Sequence, residues 1–284
     1  MIVVFGATGT IGTPLVTGLL AKGAHVRAVT SDPAKVSALK ADGCEVAIAD
    51  FDDPDALAKA CAGAEKVFLV TPAHLDMRQW KENVITAAVS AGIKQMVMST
   101  GLGASPKARL TFGIWHSESQ EFLKASGMDW TLIQPTYFMQ NLLWQSSSIA
   151  ADDVYFDDLG GPVSWVDARD IADVAVEALT GEGHEGKSYG LTGAEALDGA
   201  AIAALLGKAT DRTITLRSIS AEDSQNAMIA SGMGAEIAKA MVELSALAPK
   251  GYLAGIETTI EEVLGRPAKN VETFLTENQG SFSG

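Results

Sequence analysis

The sequence predicts an α/β fold: a Rossmann-like doubly wound parallel sheet with a smaller, mostly helical C-terminal substrate subdomain. Three observations point there. Short β-branched runs alternate with longer segments of helical period through the first half, the pattern of a parallel sheet covered on both faces by helices. Three glycines spaced three apart, Gly6, Gly9 and Gly12, join the first strand to the first helix. The 284 residues, 47% of them hydrophobic, suffice for a full core, as one large domain or one with a small appendage.

Taken in order, the predicted strands are 2–5, 25–30, 45–48, 66–70, 95–99 and 130–134. Helices are expected between them over 10–22, 33–42, 54–61, 78–91 and 116–125; six strands with five crossovers make a doubly wound sheet. Beyond Gln134 the regularity loosens into a Gly160-Gly161-Pro162 turn, a helix over 168–179 and a short strand near 188–191. The remainder reads as helices over 200–208, 221–229, 235–248 and 258–264 around one strand at 213–219, and a polar tail, 278–284, reads as frayed. The dinucleotide-binding domain is therefore expected over residues 1–150, with 166–192 returning to it. The capping subdomain takes 151–165 and 193–284.

With 21 basic against 35 acidic side chains, the formal charge of −14 repels phosphate backbones and anionic lipid surfaces. Nucleic acid and membrane are not expected partners; a small-molecule substrate is, with a homodimer as the assembly to consider. Salt screens such fields beyond about 8–10 Å, so local backbone donors can still hold a phosphorylated cofactor. Cys44 and Cys61 read as reduced thiols of a cytoplasmic protein. The chain opens directly on a strand, and no uncharged apolar run reaches the roughly 18 residues needed to span a bilayer. His74 and His184 have no metal-ligand spacing with Cys or carboxylates, so no metal is expected.

The run Val4-Phe5-Gly6-Ala7-Thr8-Gly9-Thr10-Ile11-Gly12 carries the most specific chemistry. The first glycine permits a tight turn, the second lets backbone N–H groups approach a pyrophosphate without a Cβ in the way, and the third allows the helix to pack closely on the strand. The positive end of the helix then faces the phosphates. About twenty residues on, Thr30-Ser31-Asp32-Pro33 ends the second strand. Asp32 there could bond the 2′-hydroxyl of NAD or act as a helix N-cap before Pro33.

With this turn, the Asp50-Phe51 pair, the run Gln134 to Asn141, the stretch Val166-Asp167-Ala168-Arg169-Asp170-Ile171-Ala172 and the segment His184 to Tyr189, the sequence resembles the NmrA-like branch of the atypical short-chain dehydrogenases. The nearest members are NAD(P)H:quinone oxidoreductases, triphenylmethane-dye reductases and related azo or imine reductases. The likeness extends over nearly the whole chain and is carried by residues up to about Leu191. It implies a pyrophosphate held at Thr8, Gly9, Thr10 and Ile11, adenine against Asp50 and Phe51, and the nicotinamide ribose near Thr71 and Pro72, with Pro135 also in the cofactor set. One departure bears on cofactor choice: the position matching Ser31 is commonly Arg, whose guanidinium fork grips the 2′-phosphate of NADP. Thr30, Ser31 and Lys35 remain to hold a phosphate more weakly, so NADP(H) and NAD(H) both stay open, with the family favouring NADP(H).

Ordinary short-chain dehydrogenases use a Tyr-x-x-x-Lys pair. Here Asn141, Leu159, Gly193 and Ile256 stand four residues after Tyr137, Tyr155, Tyr189 and Tyr252, which argues against routine alcohol oxidation. Hydride transfer to an already electrophilic quinone, dye, enone or imine needs mainly proximity and orientation. His116, at the expected start of the helix resembling the family's site helix, could donate a proton or orient a carbonyl, or make a structural hydrogen bond. Gln120, one turn on, could share either role, and Tyr137 completes the catalytic candidates. Tyr137, Phe138, Asn141 and Trp144 are the candidate substrate contacts. Trp165 and the Met-bearing stretch 221–234 read as either an apolar lid or plain core. The expected function is an NAD(P)H-dependent reductase; the alternatives are a dinucleotide-binding redox sensor without turnover and a biosynthetic reductase of one dedicated enone or imine.

Overall fold

The computed structural model describes residues 1–283. Two compact units form, Met1–Pro135 with Ile171–Gly190, and Thr136–Asp170 with Leu191–Gly284. Residues 136–150 and 166–170, expected with the sheet, thus group with the second unit. In chain order the strands are β1 Ile2–Phe5, β2 Val26–Thr30, β3 Glu45–Ile48, β4 Lys66–Leu69, β5 Gln95–Ser99, β6 Asp129–Pro135, β7 Val154–Asp157, β8 Lys187–Leu191 and β9 Thr215–Ser218.

Among the described residues, the first unit is built on one seven-stranded sheet in the order β3-β2-β1-β4-β5-β6-β8. The strands from β3 to β6 pair in parallel. β1 and β5 are buried along their whole length, as expected for apolar runs covered on both faces, whereas the edge strand β3 is half-exposed. The order reverses between β1 and β4. In open α/β sheets that switch point, at the carboxyl ends of the strands, is where ligands bind.

The helices of this sheet are α1 Gly12–Ala21, α2 Val36–Ala41, α3 Pro54–Cys61, α4 Met77–Ser90 and α5 Thr111–Lys124. The helix Ser146–Asp152 is α6, and Ala168–Thr180, whose larger part belongs to the first unit, is α7. α1 packs so closely on α7 that a Cβ at Gly18 would lie 2.8 Å from Val176 Cγ2. The helix expected over 33–42 is divided: a 3₁₀ turn, Pro33–Lys35, precedes α2. α5 starts at Thr111, five residues before the expected boundary, without a capping side chain that would have marked it.

The second unit pairs β7 and β9 in parallel. β7, α6 and the helix Val271–Glu277 were not anticipated. Its core gathers Tyr155, Trp165, Leu206, Phe274 and Phe282. The tail is not frayed over its described part: Gln279–Phe282 is a short helix and Phe282 is completely buried, while Gly284 lies outside the described residues. Arg212 fastens that helix by donating to the carbonyl oxygens of Phe282 at 2.5 Å and Ile149 at 3.1 Å. Composition hid this, because one aromatic in a polar run decides its fate only once a pocket exists. Among the described residues no helix is long and apolar enough to cross a membrane.

Candidate active site

The glycine turn leaves β1, and each of its glycines answers a different demand. Gly6 has φ +79°, and a Cβ there would lie 2.6 Å from both Val70 Cγ1 and the Val70 carbonyl oxygen. At Gly12 a Cβ would lie 2.0 Å from the Gly6 carbonyl oxygen. Both positions therefore exclude side chains on account of the protein itself. Gly9 is exposed, and an added Cβ would meet only the Gly6 carbonyl oxygen, at 3.3 Å. Packing accounts poorly for a glycine here; a ligand drawn close to the backbone accounts for it well. α1 begins directly behind with no side-chain cap, and the N-terminus of a helix is suited to receive an anion.

At the end of β2, Lys35 Nζ reaches back to 3.4 Å from Thr8 Oγ1 and brings a cation to the glycine turn. Ser31 is exposed beside it. Asp32 caps the following turn, its carboxylate accepting the Ala34 N–H at 2.9 Å, which is the second of the two roles open to it in the sequence. At the end of β3, Asp50 accepts the Asp52 N–H at 3.1 Å, and Asn83 donates to the Phe51 carbonyl at 2.9 Å. The Phe51 ring stacks on Trp80 with centroids 5.5 Å apart, and Trp80 stacks on His74 at 4.2 Å. The Trp80 indole N–H donates to Asp52 Oδ1 at 2.9 Å. This aromatic column behind the Asp50-Phe51 pair was missed in the sequence, because its members are spread over 51–80 with no periodic signal.

After β4 comes Thr71, whose hydroxyl oxygen is buried and without a hydrogen-bond partner among the described residues. An orphaned polar atom of this kind costs roughly 1–3 kcal/mol, and a ligand hydroxyl would offset it. Pro72 beside it is exposed. Pro135, buried at the end of β6, accepts the Leu102 N–H at 3.0 Å through its carbonyl. The open Gly9, the cation at Thr8 and the orphaned Thr71 hydroxyl lie at the carboxyl ends of β1, β2 and β4, and together they fit a nicotinamide dinucleotide.

The end of β5 holds an unanticipated pair. Lys81 on α4 is 1% exposed, and its Nζ donates to the Ser99 carbonyl at 3.1 Å and lies 3.2 Å from His116 Nδ1 on α5. His116, in the second turn of α5 rather than at its start, turns its other edge to the loop after β5: a Cβ on Gly101 would lie 3.1 Å from His116 Cδ2 and 3.5 Å from Nε2. Burial pulls the Lys81 amine down to about 7, and burial together with the Lys81 charge holds His116 well below the usual imidazole range. Lys81 was invisible in the sequence because a lone lysine in a helical period reads as surface. Gln120, one turn on, donates from its amide to Thr100 Oγ1 at 2.9 Å.

The other candidates lie in the second unit. Tyr137 packs edge-on against Trp165, centroids 5.2 Å apart, and burial and the Asp158 charge push its phenol far above the usual range against a smaller opposing pull from Ser245. Phe138 bridges to Val166, and Asn141 donates its backbone N–H to the Phe138 carbonyl at 3.1 Å. Trp144 is 64% exposed, whereas Trp165 is core. The stretch Val166 to Ala172 is explained by structure: the Arg169 guanidinium grips Asp167 at 2.6 Å and Glu277 at 2.6 Å, and Asp170 is paired with Arg266 at 2.7 Å.

Fold and site together define a Rossmann-type nicotinamide dinucleotide-binding protein. Residues 6–182 match the NAD(P)H-binding family, and the chain belongs to that family. It is 44% identical over 283 residues to the NAD(P)H azoreductase of Xenophilus azovorans, covering 99% of both chains. The NADPH-dependent quinone oxidoreductase of Escherichia coli, solved with NADPH, superposes with a TM-score of 0.88 at 28% identity, over 98% of this chain and all of that one. The triphenylmethane reductase of Citrobacter sp., solved with NADP(H), shares the fold with a TM-score of 0.86 at 23% identity, over 98% and 99% of the two chains. The chain is an NAD(P)H-dependent reductase.

Proposed function

We propose that the chain reduces electrophilic conjugated small molecules, azo dyes and quinones first among them, with NADPH preferred over NADH. The end-to-end match to an azoreductase carries this reading, and the strand-end geometry of the first unit supports it. In this reading the amides of Thr8 to Ile11 hold the pyrophosphate, and Lys35 and Ser31 receive the 2′-phosphate. Asp50 and Phe51 flank the adenine, and Thr71 and Pro72 meet the nicotinamide ribose. Reduced nicotinamide supplies the hydride when bound. His116 points a ring nitrogen past the side-chain-free Gly101, where it donates a hydrogen bond, and then a proton, to the oxygen or nitrogen on which charge develops.

The test is consumption of NADPH and NADH, followed in parallel at the reduced-nicotinamide absorbance band, against a panel of azo dyes and quinones. The expected result is turnover with several acceptors and a higher kcat/KM for NADPH. Binding of both nucleotides without consumption of either would replace the reductase with a redox sensor.

A further inference from the structure

The reduction needs a proton after the hydride, and a neutral imidazole alone is a poor source of one, because losing its single N–H proton would leave an imidazolate. The geometry behind His116 removes that difficulty. Lys81 Nζ lies 3.2 Å from Nδ1 while also donating to the Ser99 carbonyl at 3.1 Å, and its side chain is almost wholly enclosed. A lysine so placed presents N–H groups, and among the described residues it has no ion pair with a carboxylate; its other polar partner there is the Ser99 carbonyl. An ammonium donating to Nδ1 obliges the imidazole to carry its own hydrogen on Nε2, the nitrogen near Gly101.

Resting on the reading of His116 as donor, we infer that Lys81 is a positioning residue and the proton reservoir of a Lys81–His116 relay that takes the place of the missing Tyr-Lys pair. As the substrate accepts the hydride and its negative charge, the His116 Nε2–H bond breaks and that proton bonds to the substrate oxygen or nitrogen. In the same movement a Lys81 Nζ–H bond breaks and its proton bonds to Nδ1. The imidazole stays neutral throughout and ends as the opposite tautomer, with Lys81 left as the free amine. A solvent proton, from a water left as hydroxide, then bonds to Nε2 as Nδ1 returns its proton to Lys81, which restores both groups. Burial lowers the proton affinity of the amine to about 7, which eases its release of a proton.

Four measurements on the full chain decide this. ¹⁵N NMR of the parent should show His116 protonated at Nε2 at neutral pH; protonation at Nδ1 overturns the relay without any mutation. Lys81→Met, which keeps the volume and removes the buried charge, should lower kcat at least tenfold with KM for NADPH unchanged, and should leave His116 as a tautomer mixture. In mixed H₂O/D₂O the kcat of the parent should curve with deuterium fraction, as two protons in flight require, and become linear in Lys81→Met. A slow His116→Gln variant beside a Lys81→Met variant with parental kcat would overturn the relay and leave His116 as a simple donor. Parental kcat in His116→Gln would overturn both.

Discussion

At the scale of single residues, the three glycines of the turn separate packing from ligand binding. Gly12→Ala drives a Cβ to 2.0 Å from the Gly6 carbonyl oxygen, so it should destabilise the first unit in thermal unfolding as well as weaken nucleotide binding. Gly9→Val brings a Cβ to 3.3 Å from the Gly6 carbonyl oxygen, a contact relieved by a small shift, and should cost the apo chain less thermal stability than Gly12→Ala. It should nevertheless abolish NADPH binding in calorimetry; parental affinity would remove the turn from the cofactor site. Ser31 is exposed close to a turn that already carries the Lys35 cation. Ser31→Arg adds the planar fork that pairs with phosphate and should tighten NADPH by about 1–2 kcal/mol, roughly five- to thirtyfold, with NADH little changed. A titration with equal effects on both nucleotides would place Ser31 away from the 2′-phosphate.

At the scale of elements, short helices in the second unit depend on what they bury. Gln279–Phe282 spans four residues and cannot stand on propensity. It holds because the Phe282 ring is fully enclosed and the Arg212 guanidinium donates to the carbonyl oxygens of Phe282 and of Ile149 on α6. Phe282→Ala should cost about 3–5 kcal/mol by loss of transfer energy and an unfilled cavity, read as a lower midpoint in urea by tryptophan fluorescence. A change below about 1 kcal/mol would mean that the tail contributes nothing to that core.

At the scale of the whole molecule, stability should depend on pH through Lys81. Its amine titrates at about 7 in the fold and from 10.5 when unfolded. Between these values the unfolded chain holds a proton that the folded chain has released, so stability rises with pH across that window. Cys44 and Cys61 act in the opposite sense above the ordinary thiol value of 9.0, since burial raises both thiols. From pH 7 to 8.5 the lysine should therefore dominate. The melting temperature of the parent should climb over that range and that of Lys81→Met should stay flatter; equal slopes would mean that Lys81 stays charged in the fold.

The sequence by itself determined the alternation of strand and helix, the glycine turn and hence the class of cofactor, because these rest on neighbours in the chain: a period of two or three and a half residues, or three glycines in seven positions. The strand-end residues came from the family resemblance, and they agree with the rule that every loop after a parallel strand opens on one edge of the sheet. Tertiary structure alone decided which side chains meet across it. Lys81 and His116 stand 35 residues apart in the chain, and only the neighbouring places of β4 and β5 in the sheet bring the helices that follow them, and so these two groups, together. The burial of Phe282 and the grouping of residues 136–150 with the second unit were settled likewise, by long-range packing that leaves no local pattern to read.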